Sequence, residues 1–302
     1  MKKTITVHFN PPYSRWSAAQ SLFAAIGKPG LATAQQREFG YTLTFANDDE
    51  YRTFVREAEA HGFPASGLFT RVANEFTFQE LESSPLVLLI ARGKPRGLGG
   101  PSCGTTYDLS RGCPRCGTGA PQVSPLLVNR SDAPKRSNVW PTLGSELLLA
   151  SDLSSALDGA TGVEMRQARS CGDSGPLPWF QLIPLYELPP MSPTTVGIEQ
   201  SDRYRTQSPC PRCRRDGFFF TGGIFAIRYD LDLADVPDVS HTFEHFGRSV
   251  LREPLSESNF AQPMPVVRGS VYARLIAAGA KDVAGYPVEV IDHASQLSKT
   301  AT

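Results

Sequence analysis

Cys113-Pro114-Arg115-Cys116 and Cys210-Pro211-Arg212-Cys213 repeat one C-x-x-C pattern, and four thiolates paired in this way form a tetrahedral cage for zinc. Four sulfur ligands leave the ion no open position for water, so the expected role is structural and not hydrolytic. Gly117 follows the first pair and lets the backbone turn tightly beneath a metal-bound sulfur. A redox C-x-x-C is the competing reading, but it needs only one such motif at a helix start, and here two match. The 93 residues between Cys116 and Cys210 exceed the gap of a compact zinc ribbon, so the cage must join distant parts of a larger domain.

Arg111, Arg115, Arg212, Arg214 and Arg215 crowd the two motifs. Zinc would gather them on one surface, where they would grip phosphate or acidic side chains, or simply offset the negative charge of the thiolates. Cys103 and Cys171 have no partner two residues on. Buried, inert thiols are expected there, with Cys103, in a glycine-rich stretch near the first motif, the better spare ligand.

Other motifs carry less. His241-Thr242-Phe243-Glu244-His245 matches the H-x-x-E-H pattern in which two histidines one helical turn apart hold zinc and the glutamate activates water. Pro237 before it and Gly247 after it leave little room for a helix, and no third ligand can be named, so a metal hydrolase at His241, Glu244 and His245 is the third-ranked function. Gly172-Asp173-Ser174-Gly175-Pro176 is similar to a serine-protease nucleophile loop, yet its upstream partners are missing and a turn is expected. No phosphate-binding loop with its lysine occurs.

Thirty basic and thirty acidic side chains cancel over 302 residues, so no long-range field draws the chain to nucleic acid or to an anionic membrane. No segment reads as a signal peptide or reaches membrane-spanning length, and six cysteines with metal-like spacing suit a reducing compartment; a cytoplasmic protein with no membrane partner is the expectation.

Periodicity places these residues in an α/β (α+β) chain. A small N-terminal α/β domain is expected over 1–96: a strand at 3–9, a helix at 14–26 with Trp16, Ala19, Leu22 and Phe23 on one face, a strand at 40–46, a helix from Asp48 stopped by Gly62 and Pro64, and strands at 67–78 and 85–92. The second of those strands is almost wholly apolar and should be central in a sheet. A zinc-binding domain over 97–302 then carries two strand-helix-strand copies. The first is Glu146–Ala150, a helix over Asp152–Ala160, and Gly162–Arg166; the second is Met264–Val267, a helix over Ser270–Ala278, and Gly285–Ile291. Aligning Leu157 with Leu275 pairs Leu153 with Val271, Asp152 with Ser270 and Leu149 with Val267. Residues 184–211, rich in proline, should be extended and irregular.

On these residues, from about 100 to 302, the chain resembles the double-CxxCG-motif proteins of myxobacteria and other Proteobacteria. Cys113-Pro114-Arg115-Cys116-Gly117 carries the motif in full, whereas Arg214 stands where the second copy should have glycine. The resemblance implies an immunity protein that neutralises a cognate bacterial toxin by protein–protein contact, with zinc on Cys113, Cys116, Cys210 and Cys213 and no catalytic residues. A nucleic-acid-binding zinc protein using the five arginines is the alternative.

Overall fold

The structure, a computed structural model, describes residues 2–9, 14, 16–27, 41–45, 48–64, 69–92, 95–97, 99–173, 175–200, 209–220, 226–247 and 249–291. The chain divides into two compact units, one ending at Thr77 and one starting at Phe78.

In the first unit β1 (Lys2–Phe9), α1 (Trp16–Ala25), β2 (Tyr41–Phe45), α2 (Asp48–Ala60) and β3 (Phe69–Glu75) make an antiparallel sheet of order β2-β1-β3. Alternation selects the buried face: Ile5 and Val7 stand opposite Phe45 and Leu43. The helices close over that face with Ala19, Leu22, Phe23, Phe54 and Ala58. Phe9 meets the ring of Phe63 edge-on at 4.9 Å, and the ring of Phe54 lies 5.2 Å from that of Phe45.

The second unit contains α3 (Phe78–Glu82), β4 (Leu86–Ala91), β5 (Leu127–Val128), β6 (Val139–Pro141), β7 (Leu147–Ala150), α4 (Ser151–Ser154), β8 (Val163–Ser170), β9 (Pro176–Pro184), β10 (Ile198–Gln200), β11 (Phe218–Phe220), β12 (Ile227–Asp230), β13 (Val239–Phe246), β14 (Gln262–Val267), α5 (Gly269–Ala277) and β15 (Val283–Ile291). Seven strands form a sheet of order β10-β11-β13-β14-β4-β15-β12, and five form a second of order β5-β8-β9-β7-β6. The expected domain boundary at residue 96 falls instead at Thr77. Leu86, Val87, Leu88 and Leu89 are all buried, as a strand needs when it is hydrogen-bonded on both edges and covered on both faces, and β4 is accordingly an interior strand, between β14 and β15.

The two strand-helix-strand copies share a topology. In the first, β7 and β8 both pair antiparallel with β9, which lies between them; in the second, β14 and β15 both pair antiparallel with β4. Each copy is thus a parallel strand pair split by one antiparallel strand, which comes from after the copy in one case and before it in the other. The aligned positions match in burial too. Leu149 and Val267, Leu153 and Val271, and Leu157 and Leu275 are buried, while Asp152 and Ser270 are exposed.

The first helix is shorter than expected, four residues followed by a 3-10 turn over Ser155–Leu157. Ser154 and Ser155 donate their hydroxyls to the carbonyls of Ser151 and Asp152, each at 3.0 Å, and this local bonding competes with the α-helical ladder. In the second copy α5 starts against α3. A Cβ at Gly269 would stand 2.4 Å from the carbonyl oxygen of Glu82, so only glycine lets the helix approach so closely.

Candidate metal centre

The first C-x-x-C lies on a loop closed at its base by a bridge between Tyr107 and Gln122, and the second lies in the segment leading into β11. Each folds as a knuckle. The Gly117 N–H donates to the Cys113 carbonyl at 2.7 Å, and the Arg214 N–H donates to the Cys210 carbonyl at 2.9 Å. After each second cysteine the backbone enters the left-handed region, with φ of 73° at Gly117 and 52° at Arg214. The turn that glycine favours is therefore made at Arg214 as well, at the steric cost a side chain brings there. At Gly117 no side chain fits, because a Cβ would lie 2.3 Å from the Phe260 ring.

The knuckles face each other. Cys116 Sγ lies 3.6 Å from Cys213 Sγ, Cys113 Sγ lies 4.0 Å from Cys210 Sγ, and all four sulfurs lie within 4.8 Å of one another. A tetrahedron with metal–sulfur bonds of about 2.3 Å has edges of about 3.8 Å, so the spacing fits one tetrahedral ion. It is too long for disulfides, whose S–S bond is about 2.05 Å. Cys116 and Cys210 are buried, and Cys113 and Cys213 partly so. Burial pushes the Cys213 thiol up to about 11 and raises Cys116 as well. At Cys113 burial also raises, but the N–H groups of Arg115 and Cys116 and the thiols of Cys116 and Cys213 together outweigh it and leave that thiol below its ordinary value. A divalent cation would reverse the burial effect, because it holds each sulfur as thiolate.

Residues outside the motifs brace the centre. Asp216, buried, accepts the Cys210 N–H at 2.8 Å, and the Gln200 side chain donates to the carbonyls of Arg214 and Asp216 at 2.9 and 2.8 Å. Thr118 Oγ1 stands 3.2 Å from Cys116 Sγ, placed to donate to a thiolate. Neither Asp216, Gln200 nor Phe260 has a signal in the sequence, since each is set by tertiary approach.

Arg111, Arg115, Arg212 and Arg214 are exposed. Arg215 is instead committed to structure: it is ion-paired with Glu187, donates Nε to the Phe243 carbonyl at 3.3 Å, and lies 4.5 Å above the Phe243 ring. Beside it is a cleft of about 490 Å³ whose polar walls are largely paired within themselves. Arg166 holds Glu164 at 2.7 Å, and the amides of Gln122 and Gln181 exchange bonds at 2.9 Å.

His241, Glu244 and His245 lie on β13, not on a helix, and the strand's register shifts between the two histidines. A metal site built on one helical turn is thus not formed. Each histidine sets Nδ1 against a backbone carbonyl, Thr242 or Phe243, at 3.0 Å, and Glu244 accepts the Met191 N–H at 2.7 Å. Burial, with the nearby Arg215 charge, holds His245 down at about 3, and burial pushes the Glu244 carboxyl up. Among the described residues, the four knuckle cysteines are the one group of three or more His, Cys, Asp or Glu side chains whose ligating atoms converge. Asp173 accepts the Gly175 N–H at 2.9 Å, as a turn requires, while Ser174 lies outside the described residues. Among the described residues no helix is long and apolar enough to cross a membrane.

Comparison of the chain with protein-family models, with curated proteins and with solved structures gives no match.

Proposed function

We propose that the chain is a zinc-stapled binding protein whose metal has no catalytic duty and whose partner is another protein. The convergence of Cys113, Cys116, Cys210 and Cys213 carries this reading: four thiols around one point fill a tetrahedral ion and suit zinc above harder cations. The ion would tie the loop at Tyr107–Gln122 to the strand that the second knuckle leads into.

An apolar groove of about 270 Å³ lies along that strand, walled by Phe218, Phe219, Phe220, Phe246, Leu89 and Met264. Phe220 is 37 % exposed and stacks on Phe246 with ring centres 5.1 Å apart. An aromatic-rich groove suits a protein partner better than a phosphate backbone. The motif resemblance extends the reading to immunity, with a cognate toxin occupying this face.

The test is co-purification with the polypeptide encoded beside this gene. A complex that persists in high salt and is lost in Phe220→Asp, with metal content unchanged, supports the reading. Binding to nucleic acid that weakens steeply with salt and with loss of Arg212 and Arg214 would replace it with the arginine-face alternative.

A further inference from the structure

Cys103 and Cys171 belong to no knuckle, yet Cys171 Sγ lies 3.8 Å from the Cys103 carbonyl oxygen, close enough that Cys171 raises the Cys103 thiol. Both are partly exposed. Their contact is built by β5. Gly99 forms an antiparallel bridge with Val128, directly before the 3-10 turn Gly100–Cys103, and the Cys171 N–H donates to the Val128 carbonyl at 2.9 Å. Thr105 Oγ1, just past the turn, accepts the Leu127 N–H at 2.9 Å. One short strand thus holds both cysteines from either side. No third ligating side chain joins them among the described residues, so a second metal site is not what the pair supplies.

We infer that Cys103 and Cys171 are a redox-active dithiol, oxidised by a low-molecular-weight disulfide to an intramolecular disulfide while the knuckle cysteines stay unlinked. The Cys171 thiol loses its proton to solvent and attacks one sulfur of glutathione disulfide, forming a mixed disulfide and expelling one glutathione thiolate. Cys103 loses its proton and attacks Cys171 Sγ, closing the protein disulfide and expelling the second glutathione. Two cysteine thiols are oxidised, one glutathione disulfide is reduced to two glutathiones, and the two protons balance the two thiolates. The order follows from the surroundings of Cys103, whose thiol is pushed up to about 12, by burial first and then by Cys171, Asp132 and Glu146. It stays protonated at neutral pH, so the first attack is assigned to Cys171.

The experiment incubates the full chain with glutathione disulfide, traps free thiols by alkylation and maps peptides by mass spectrometry. The expected product is a Cys103–Cys171 crosslink, reversed by reduced glutathione, with Cys113, Cys116, Cys210 and Cys213 unlinked. Cys103→Ser should stop at a glutathione adduct on Cys171. Stable separate adducts on both cysteines of the unmutated chain, or oxidation of the knuckles ahead of this pair, would overturn the inference.

Discussion

Gly117 and Arg214 occupy the same place in the two knuckles: each follows the second cysteine, donates its N–H to the carbonyl of the first, and turns the chain through positive φ. At Gly117 a Cβ would meet the Phe260 ring, whereas Arg214 already carries a side chain and is exposed. The two sites should therefore respond oppositely to substitution. Gly117→Ala should cost at least about 2 kcal/mol, whereas Arg214→Gly should be neutral or stabilise by up to about 1 kcal/mol, as relief of strain exceeds the added freedom of the unfolded chain. Urea unfolding of the two variants measures both signs.

Asp216 should matter to the metal without touching it. Asp216→Ala leaves the Cys210 N–H without its buried acceptor and should weaken metal binding by about 10- to 100-fold, while Asp216→Asn keeps an acceptor oxygen and should lose less. Competition with a chromogenic chelator gives the ratio.

Arg215 and Arg212 separate a structural arginine from a surface one. Arg215→Ala removes the Glu187 pair and the contact with Phe243 and should cost about 1–2 kcal/mol. Arg212→Ala should stay within about 0.5 kcal/mol. Thermal unfolding of the two variants tests the difference.

His245 sets an acid limit. Its folded value is depressed to about 3 from an ordinary 6.5, so its contribution is fully present above pH 6.5. Below that the unfolded chain takes up a proton the folded chain refuses, and stability falls as pH drops towards 3, by up to about 1.4 kcal/mol per pH unit. His245→Phe should flatten the pH dependence of urea unfolding over that window.

Much of the local structure was legible because it follows from periodicity. The elements of the first unit begin and end within a few residues of the expected places, and the buried run Leu86–Leu89 marked its strand as central. Alignment of Leu157 with Leu275 paired positions that match in burial, since a helix laid on a sheet repeats the same apolar spacing wherever it occurs. What spacing could not reveal is pairing between distant segments. Nothing local says that β4 lies between β14 and β15, and so the domain boundary was expected after it rather than before. The H-x-x-E-H match failed for the converse reason: a motif defined on a helix has no geometry on β13. The C-x-x-C pairs were readable because their chemistry needs so little context, while Asp216 and Phe260 reach the centre from sequence positions that carry no pattern.

The central claim is that four thiols hold one zinc ion, and metal content by elemental mass spectrometry with a count of reactive thiols tests it most directly. The account predicts one zinc per chain purified under reducing conditions, four thiols protected until a chelator is added, and loss of zinc in the Cys113→Ser, Cys210→Ser double variant. A metal-free chain with all four knuckle thiols open to alkylation, or full zinc content in the double variant, would contradict it.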